Sequence, residues 1–382
     1  MILSTFTPSC MMTDKASIVA QSKWSQTMNE EVNFSTLENS PNQNTEKPFS
    51  RNLFDYATSE LSQDAFIRWI CAQFDSNDAA VRTASQNLLH AFLESKDNDP
   101  VEVKEIYRQK ENIDILLLLQ HEGQEFPIVV EDKTSSQYHD DQLNKYRTSA
   151  AGIYDREEND IRVVYFKTET VHEEQDIRDK CDIVLNRKDI LECLNTTSKN
   201  PILMDYVDRL KRICARYDQY RSLPVKDWSY DGWCGFFEHL QKRLITRGYW
   251  TGYGYNNNLK GGHWTLWLGN SKKIGVGAWQ FMVNVETPNS HVFDQDECLL
   301  KVTVRLCNNK GKHSRKEFDL PEINRRKYRH VCGVNTIMGE LMRIDRSSKE
   351  SSWKYEGVEK AIFDAIDQYE KWCDENLYAG TD

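Results

Sequence analysis

The chain has 382 residues, of which 39% are hydrophobic, so it can bury a sizeable core, and its length predicts two domains plus tails. A formal net charge of -10 argues against a general, non-specific binder of duplex nucleic acid, because affinity for phosphate is largely electrostatic, although a local basic groove can coexist with it. The ten cysteines lie singly, without a Cys-x-x-Cys pair, and the sequence shows neither a secretory leader nor an apolar run of membrane-spanning length. We therefore expect a soluble, cytoplasmic protein with reduced thiols and no membrane contact.

The first half of the chain is predicted to be a leader followed by alternating helices and strands. Residues 1–48 are rich in Ser, Thr, Asn and Gln without a hydrophobic period, which is typical of a disordered segment. A helix begins after the cap residue Ser59, and its apolar stripe leaves Glu60 at the edge of the buried face. The stripe consists of Leu61, Ala65, Phe66, Trp69, Ile70 and Phe74. The next predicted elements are a helix over 79–94, strands over 101–108, 113–119 and 127–133, a polar helix over 136–153 and a strand over 161–167.

Past residue 182 the pattern becomes helical and then aromatic. Helices are predicted over 189–194 and 202–217. Beyond residue 225, Trp, Tyr and Phe residues crowd together with several glycines between them, which indicates an added α+β region whose tryptophans belong mostly to the core. Its predicted elements are antiparallel strands over 264–268, 278–285 and 299–306 and a closing amphipathic helix over 358–372. The chain therefore divides into a leader (1–48), an α/β domain (49–220) and an aromatic-rich α+β region (221–382).

Three charged side chains interrupt the most apolar strands. Asp114 lies inside the second predicted strand, and Glu131 and Lys133 lie at the end of the third. Because side chains alternate along a strand, Glu131 and Lys133 project to one face while Asp132 projects to the other. A hairpin would bring Asp114 beside them. Such a cluster is costly to desolvate unless a cation joins the carboxylates and a polyanion lies opposite the lysine, which is the chemistry of a Mg²⁺-dependent phosphodiesterase.

A purely structural interpretation exists for each of these residues. Asp114 could form a surface salt bridge, and Glu131 and Lys133 could form an ion pair at a sheet edge. The position of Asp114 within an apolar strand argues against the first alternative, because charges are rarely left there. Asp132 needs a partner on the opposite face of the sheet.

The ordered set resembles the PD-(D/E)XK nuclease superfamily, whose signature is an acid on one strand and Glu-x-Lys on the next. Gln142 and Tyr146 match the Gln-x-x-x-Tyr helix motif of its RecB-like exonuclease branch. Residues 52–69 resemble the opening helix of a poorly characterised bacterial group in the superfamily, in which a helical glutamate, here Glu60, precedes the core. The resemblance covers residues 52–167 well and implies a restriction-endonuclease-like fold of helix, three strands, helix and strand.

The resemblance also implies a role for each residue of the set. Asp114 and Glu131 would bind one or two Mg²⁺ (or Mn²⁺) ions, and Lys133 would orient the attacking water or stabilise the charge on phosphorus. Gln142 and Tyr146, which share a helix face, would hold the nucleic-acid strand or a water near the site; an ordinary solvated face is the alternative. Glu60 joins the catalytic set, although the helix dipole alone also favours a glutamate there.

Two basic runs in the C-terminal region, 310–316 and 324–330, are candidates for contact with phosphates. The second contains the predicted nucleic-acid-binding residues Arg325, Arg326, Lys327 and Arg329. A solvated surface is the alternative interpretation. The region could also bind a protein partner or an activating ligand.

Two functions are compatible with these features. The first is a Mg²⁺-dependent nuclease acting on DNA, with RNA still open, in bacterial antiphage defence or repair. The second is a non-cleaving nucleic-acid-binding or sensor module on a nuclease fold. The intact Asp114, Glu131 and Lys133 set favours the nuclease, because a module that never cleaves has no physical use for so costly a cluster.

Overall fold

The computed structural model describes residues 49–96, 99–134, 142–169, 177, 180–256, 262–269, 279–287, 297–308 and 335–376. The described residues, all of which follow Pro48, form one compact unit. The predicted leader, both predicted basic runs and the first residues of the helix predicted from 136 lie outside the described residues. Among the described residues, no helix is both long enough and apolar enough to cross a membrane.

The predicted α/β core is confirmed around a sheet that has five strands within the described residues. The strands follow one another in sequence order: β1 (Glu102–Lys110), β2 (Ile113–His121), β3 (Gln124–Lys133), β4 (Arg162–Lys167) and β5 (Ile183–Asn186). The first three are antiparallel, whereas β3, β4 and β5 run parallel. The carboxyl ends of these three strands therefore meet at one edge of the sheet.

A tight turn sets the register of the β2–β3 hairpin. Only Glu122 and Gly123 connect the strands, and both have positive φ angles, of 49° and 77°. Two successive residues in that conformation form the hairpin turn whose twist matches that of the strands. The resulting register pairs Ile115 with Val130. Asp114 and Glu131 are consequently the next residues along the two strands.

Helices cover both faces of this sheet. They are α1 (Glu60–Cys71), α2 (Ala79–Leu93), α3 (Gln142–Tyr154), α4 (Arg187–Leu194) and α5 (Pro201–Asp218). One face of β2–β5 forms an apolar core with α1, α2, α4 and α5. The other face packs on α3. A side chain on β3 thus points to one of two different environments, according to its position in the alternation.

Two local predictions in this half are wrong. No strand was predicted over residues 183–186, where the sequence was expected to become helical. These residues form β5, a strand too short to show periodicity. The predicted stripe of α1 is also rotated, because Leu61 is half exposed whereas Gln63, Asp64 and Ile67 are buried. Two polar residues take core positions in α1 because the polar end of β3 lies beneath them.

The added α+β region contains a second sheet, flanked by α6 (Tyr230–Thr246) and α7 (Tyr355–Asn376). Its antiparallel strands are β6 (Trp250–Asn256), β7 (His263–Gly269), β8 (Trp279–Glu286), β9 (Cys298–Asn308) and β10 (Asn335–Asp345). Sequence patterns missed α6, β6 and β10. The sequence of α6 shows no narrow apolar stripe, because its buried residues, which include Trp233, Phe236 and Phe237, lie on several sides of the helix.

The α+β region packs directly on the core. A Cβ atom at Gly235 of α6 would lie 1.9 Å from the Tyr217 carbonyl oxygen of α5, so only glycine permits this approach. Arg187 donates to both carboxylate oxygens of Glu238, at 3.0 and 2.5 Å, and its guanidinium lies 4.0 Å from the centre of the Tyr217 ring. The division at residue 220 stays a prediction.

Candidate active site

The charged cluster lies at the carboxyl end of β3. Lys133 Nζ is 2.6 Å from Glu131 Oε1 and 3.9 Å from Asp114 Oδ2. The Asp132 backbone N–H donates to Asp114 Oδ2 at 3.3 Å, which fixes Asp114 across the hairpin. Glu131 is fully buried and Lys133 is 8% exposed. The alternation of β3 therefore brings two carboxylates and one ammonium together in a largely water-excluded place.

Burial controls the protonation of this cluster. Burial, helped by the nearby Asp114 charge and opposed by Lys133, raises the pKa of Glu131 to about 8. Burial also disfavours the charged form of Lys133, but the Glu131 carboxylate outweighs it, so the pKa of Lys133 lies above its usual value. Glu131 accordingly binds a proton near neutral pH unless a further positive charge takes the place of that proton.

Glu60 reaches the same end of β3 from helix α1. The backbone N–H of Thr134 donates to Glu60 Oε1 at 3.1 Å, and the Thr134 hydroxyl lies 3.4 Å from the same oxygen. Its charge also contributes to raising the pKa of Lys133. Glu60 therefore does more than interact favourably with the dipole of its own helix. It also contacts Thr134, the residue that follows the strand carrying Glu131 and Lys133.

Gln142 and Tyr146 lie on α3, on the face of the sheet that carries the cluster. Gln142 Nε2 donates to the Tyr146 hydroxyl oxygen at 2.7 Å. Burial, together with the negative charges of Glu131 and Asp114, raises the pKa of Tyr146. The phenol is therefore close enough to the carboxylates for their charge to disfavour its ionisation, and it stays protonated as a hydrogen-bond donor.

The opposite face of β3 holds polar residues that sequence reasoning missed. Asp132 accepts a hydrogen bond from Gln63 Nε2 at 2.5 Å, and Asp64 lies beside it. Burial, and next the charge of Asp114, raise the pKa of Asp64 to about 6, while burial raises the pKa of Asp132. The sequence signal was Asp132 itself, a buried strand acid that required a partner on this face.

Lys167 was also missed. It pairs with Lys133 across the parallel strands β3 and β4, and it is 2% exposed. Burial lowers the pKa of Lys167 to about 8, against the attraction of Glu169 and Glu60. The signal in the sequence was a lysine that ends an otherwise apolar strand.

The carboxylates fit a divalent cation. Glu131 Oε2 is buried and accepts no hydrogen bond from any residue that the structure describes. In those same residues, no three His, Cys, Asp or Glu side chains converge as a complete ligand set. Mg²⁺ commonly uses one or two protein carboxylates and fills its remaining positions with water and substrate oxygens. Asp114 and Glu131 match that requirement.

The fold and this cluster define the class as a restriction-endonuclease-like α/β protein. The family model described as the PD-(D/E)XK nuclease superfamily matches residues 31–222, half of the chain. The chain belongs to the PD-(D/E)XK nuclease superfamily, which implies nuclease activity on a nucleic-acid substrate and the use of divalent metals. No curated protein and no solved structure shows significant similarity to it.

The structure therefore brings together six of the predicted site residues at the edge where β3 ends: Glu60, Asp114, Glu131, Lys133, Gln142 and Tyr146. The four predicted nucleic-acid-binding residues, Arg325, Arg326, Lys327 and Arg329, lie outside the described residues. Their role stays a prediction.

Proposed function

We propose that this protein is a Mg²⁺-dependent nuclease that hydrolyses phosphodiester bonds in DNA. The observation that carries the proposal is the buried Glu131, whose raised pKa and unsatisfied oxygen lie beside Asp114 and Lys133. A buried acid with these partners destabilises the metal-free protein, so a bound cation is the simplest reason for the arrangement.

In this proposal each residue acts on a different part of the reaction. Asp114 and Glu131 hold Mg²⁺ or Mn²⁺, and the bound ion supplies Lewis acidity toward a phosphate oxygen. The Lys133 ammonium, fixed 2.6 Å from Glu131, stabilises the negative charge that grows on the phosphate or orients the attacking water. Because the cluster is buried, this charge interaction is stronger than it would be in water.

Gln142, Tyr146 and Glu60 hold the reactants in place. The Tyr146 hydroxyl and Gln142 amide, which are hydrogen bonded to each other, present donors on the cluster's face of the sheet for a phosphate oxygen or a water. Glu60 fixes Thr134 at the end of β3 and completes the acidic edge of the site.

The wider role belongs to the same proposal. Arg325, Arg326, Lys327 and Arg329 contact the DNA backbone, and the α+β region receives a protein partner or an activating ligand. A reducing, cytoplasmic location, in which the singly spaced cysteines stay as thiols, is part of the proposal. Antiphage defence or DNA repair is the setting that we propose for this activity.

Purified protein incubated with linear, circular and single-stranded DNA and with RNA, in Mg²⁺, Mn²⁺ or EDTA, tests the proposal. We expect metal-dependent cleavage of DNA that Asp114→Asn abolishes. Binding of DNA without cleavage in either metal would favour a non-cleaving module, and cleavage of RNA alone would correct the substrate.

A further inference from the structure

A glutamine on α1 connects that helix to the reverse side of the catalytic strand. Gln63 Nε2 donates to Asp132 Oδ1 at 2.5 Å, and Gln63 Oε1 accepts from the Thr168 hydroxyl at 3.2 Å. The three side chains are between 1% and 4% exposed. Both ends of the amide are therefore used in a place that water does not reach, and its orientation is fixed by one donor and one acceptor.

The hydrogen bond between Gln63 and Asp132 matters because of where Asp132 lies on β3. Asp132 is the residue between Glu131 and Lys133, so its side chain points away from the cluster while its backbone joins the two catalytic candidates. Its backbone N–H donates to Asp114, the second proposed metal ligand. The hydrogen bond from Gln63 to the Asp132 side chain therefore fixes the backbone of residues 131–133. That backbone carries the side chains of Glu131 and Lys133 and supplies the N–H group that binds Asp114.

The same glutamine also orders the other edges of the site. Thr168 follows β4, and its backbone N–H donates to the Lys133 carbonyl oxygen at 3.3 Å. Glu60 lies one helical turn before Gln63, and it contacts Thr134. One side chain on α1 thus connects β3 and β4 beneath the cluster while its own helix carries Glu60 to the same edge.

We propose that Gln63 is a positioning residue, which sets the placement of the metal-binding carboxylates through Asp132 while touching neither metal nor substrate. This inference rests on the proposed function for the identity of the metal ligands. Partners that orient metal ligands from outside typically change metal affinity or activity by 10–100-fold when they are lost. Loss of the Gln63 side chain should therefore change metal affinity or activity by a factor in that range, in addition to any loss of stability.

A donor–acceptor exchange tests this role. Gln63→Glu removes the amide donor and places a carboxylate against Asp132, so we expect the Mn²⁺ concentration for half-saturation to rise about tenfold or more. In the double variant Gln63→Glu with Asp132→Asn, the amide introduced on β3 can donate to the carboxylate introduced on α1, which still accepts from Thr168. This double variant should recover most of the lost affinity and turnover.

Gln86→Glu is the matched control. Gln86 lies on α2, a different helix from the one that carries Gln63. It donates through Nε2 to the carbonyl oxygens of Phe74 and Val101, and neither of these residues is a candidate metal ligand. The same chemical change there should lower the melting temperature but leave Mn²⁺ affinity and turnover at the wild-type values. Should Gln63→Glu fail to fold, Gln63→Met, which removes both hydrogen bonds without adding charge, takes its place.

Mn²⁺ binding is measured by calorimetry without substrate, beside turnover and melting temperature. The inference is overturned if Gln63→Glu behaves as Gln86→Glu does, with a lower melting temperature but unchanged Mn²⁺ affinity and turnover, or if the double variant recovers nothing. A wild-type protein that binds Mn²⁺ but cleaves no nucleic acid would contradict the proposed function alone, because the affinities would still decide the role of Gln63.

Discussion

Glu131 should make the metal-free protein less stable as the pH rises. Its pKa is about 8 in the folded protein, against an ordinary value of 4.5. Below pH 4.5 the carboxyl is protonated in both the folded and the unfolded chain, so it has no effect. Above that pH the unfolded chain loses the proton first, and the free energy of unfolding falls until the pH passes the folded pKa.

The size of the effect follows from the two pKa values. Each pH unit between them removes about 1.4 kcal/mol, so the wild-type protein should lose about 3 kcal/mol between pH 5 and pH 7.5 relative to Glu131→Gln. Glutamine keeps the shape of the side chain without a titratable proton. Urea unfolding of both proteins in EDTA at several pH values measures the difference.

Metal provides the internal control for this measurement. Saturating Mn²⁺ at pH 7.5 should stabilise the wild-type protein and have much less effect on the Glu131→Gln variant, because a ligand that binds only the folded state raises stability. Parallel unfolding curves for the two metal-free proteins across the pH range would show that Glu131 is ionised in the folded state, and the electrostatic argument for the site would be refuted.

Two further residue sets give separate predictions. Lys133→Arg and Lys133→Met should both bind Mn²⁺ and lose most single-turnover cleavage, about 3 kcal/mol in barrier, because a broad guanidinium cannot replace a compact ammonium; an active arginine variant beside a destabilised methionine variant would make Lys133 a structural ion-pair partner. Neutralising Arg325, Arg326 and Lys327 together should weaken DNA binding and flatten its salt dependence without changing Mn²⁺ affinity; an unchanged salt slope would return these residues to solvated surface.

The alternation of strands made the centre of the site predictable. Glu131 and Lys133 were expected on one face and Asp132 on the other, and the two-residue turn at Gly123 supplies the hairpin that brings Asp114 to them. These relations are local, since each depends on residues within one strand or one hairpin. The order of helices and strands in the core followed from short-range periodicity, whereas the family rested on the resemblance of the ordered motifs to a known superfamily.

Long-range pairing made other features unpredictable. Gln63 and Asp132 are 69 positions apart, and nothing in the α1 pattern shows that a polar residue will be buried against a strand acid. The strand Ile183–Asn186 is too short for a period to appear. The helix Tyr230–Thr246 contacts both α5 and the second sheet, so its aromatic residues are not confined to one narrow stripe.

Single-turnover cleavage of DNA by the wild-type protein and by Asp114→Asn, at saturating enzyme and with Mg²⁺ or EDTA, tests the central claim most directly. Asp114 is the natural choice because it is a proposed metal ligand with 23% of its side chain exposed, so its amide should not disturb the fold. The predicted result is cleavage by the wild-type protein only with Mg²⁺, and its loss in a variant that melts at or above the wild-type temperature in EDTA. Near wild-type, Mg²⁺-dependent cleavage by Asp114→Asn would contradict the assignment of the site.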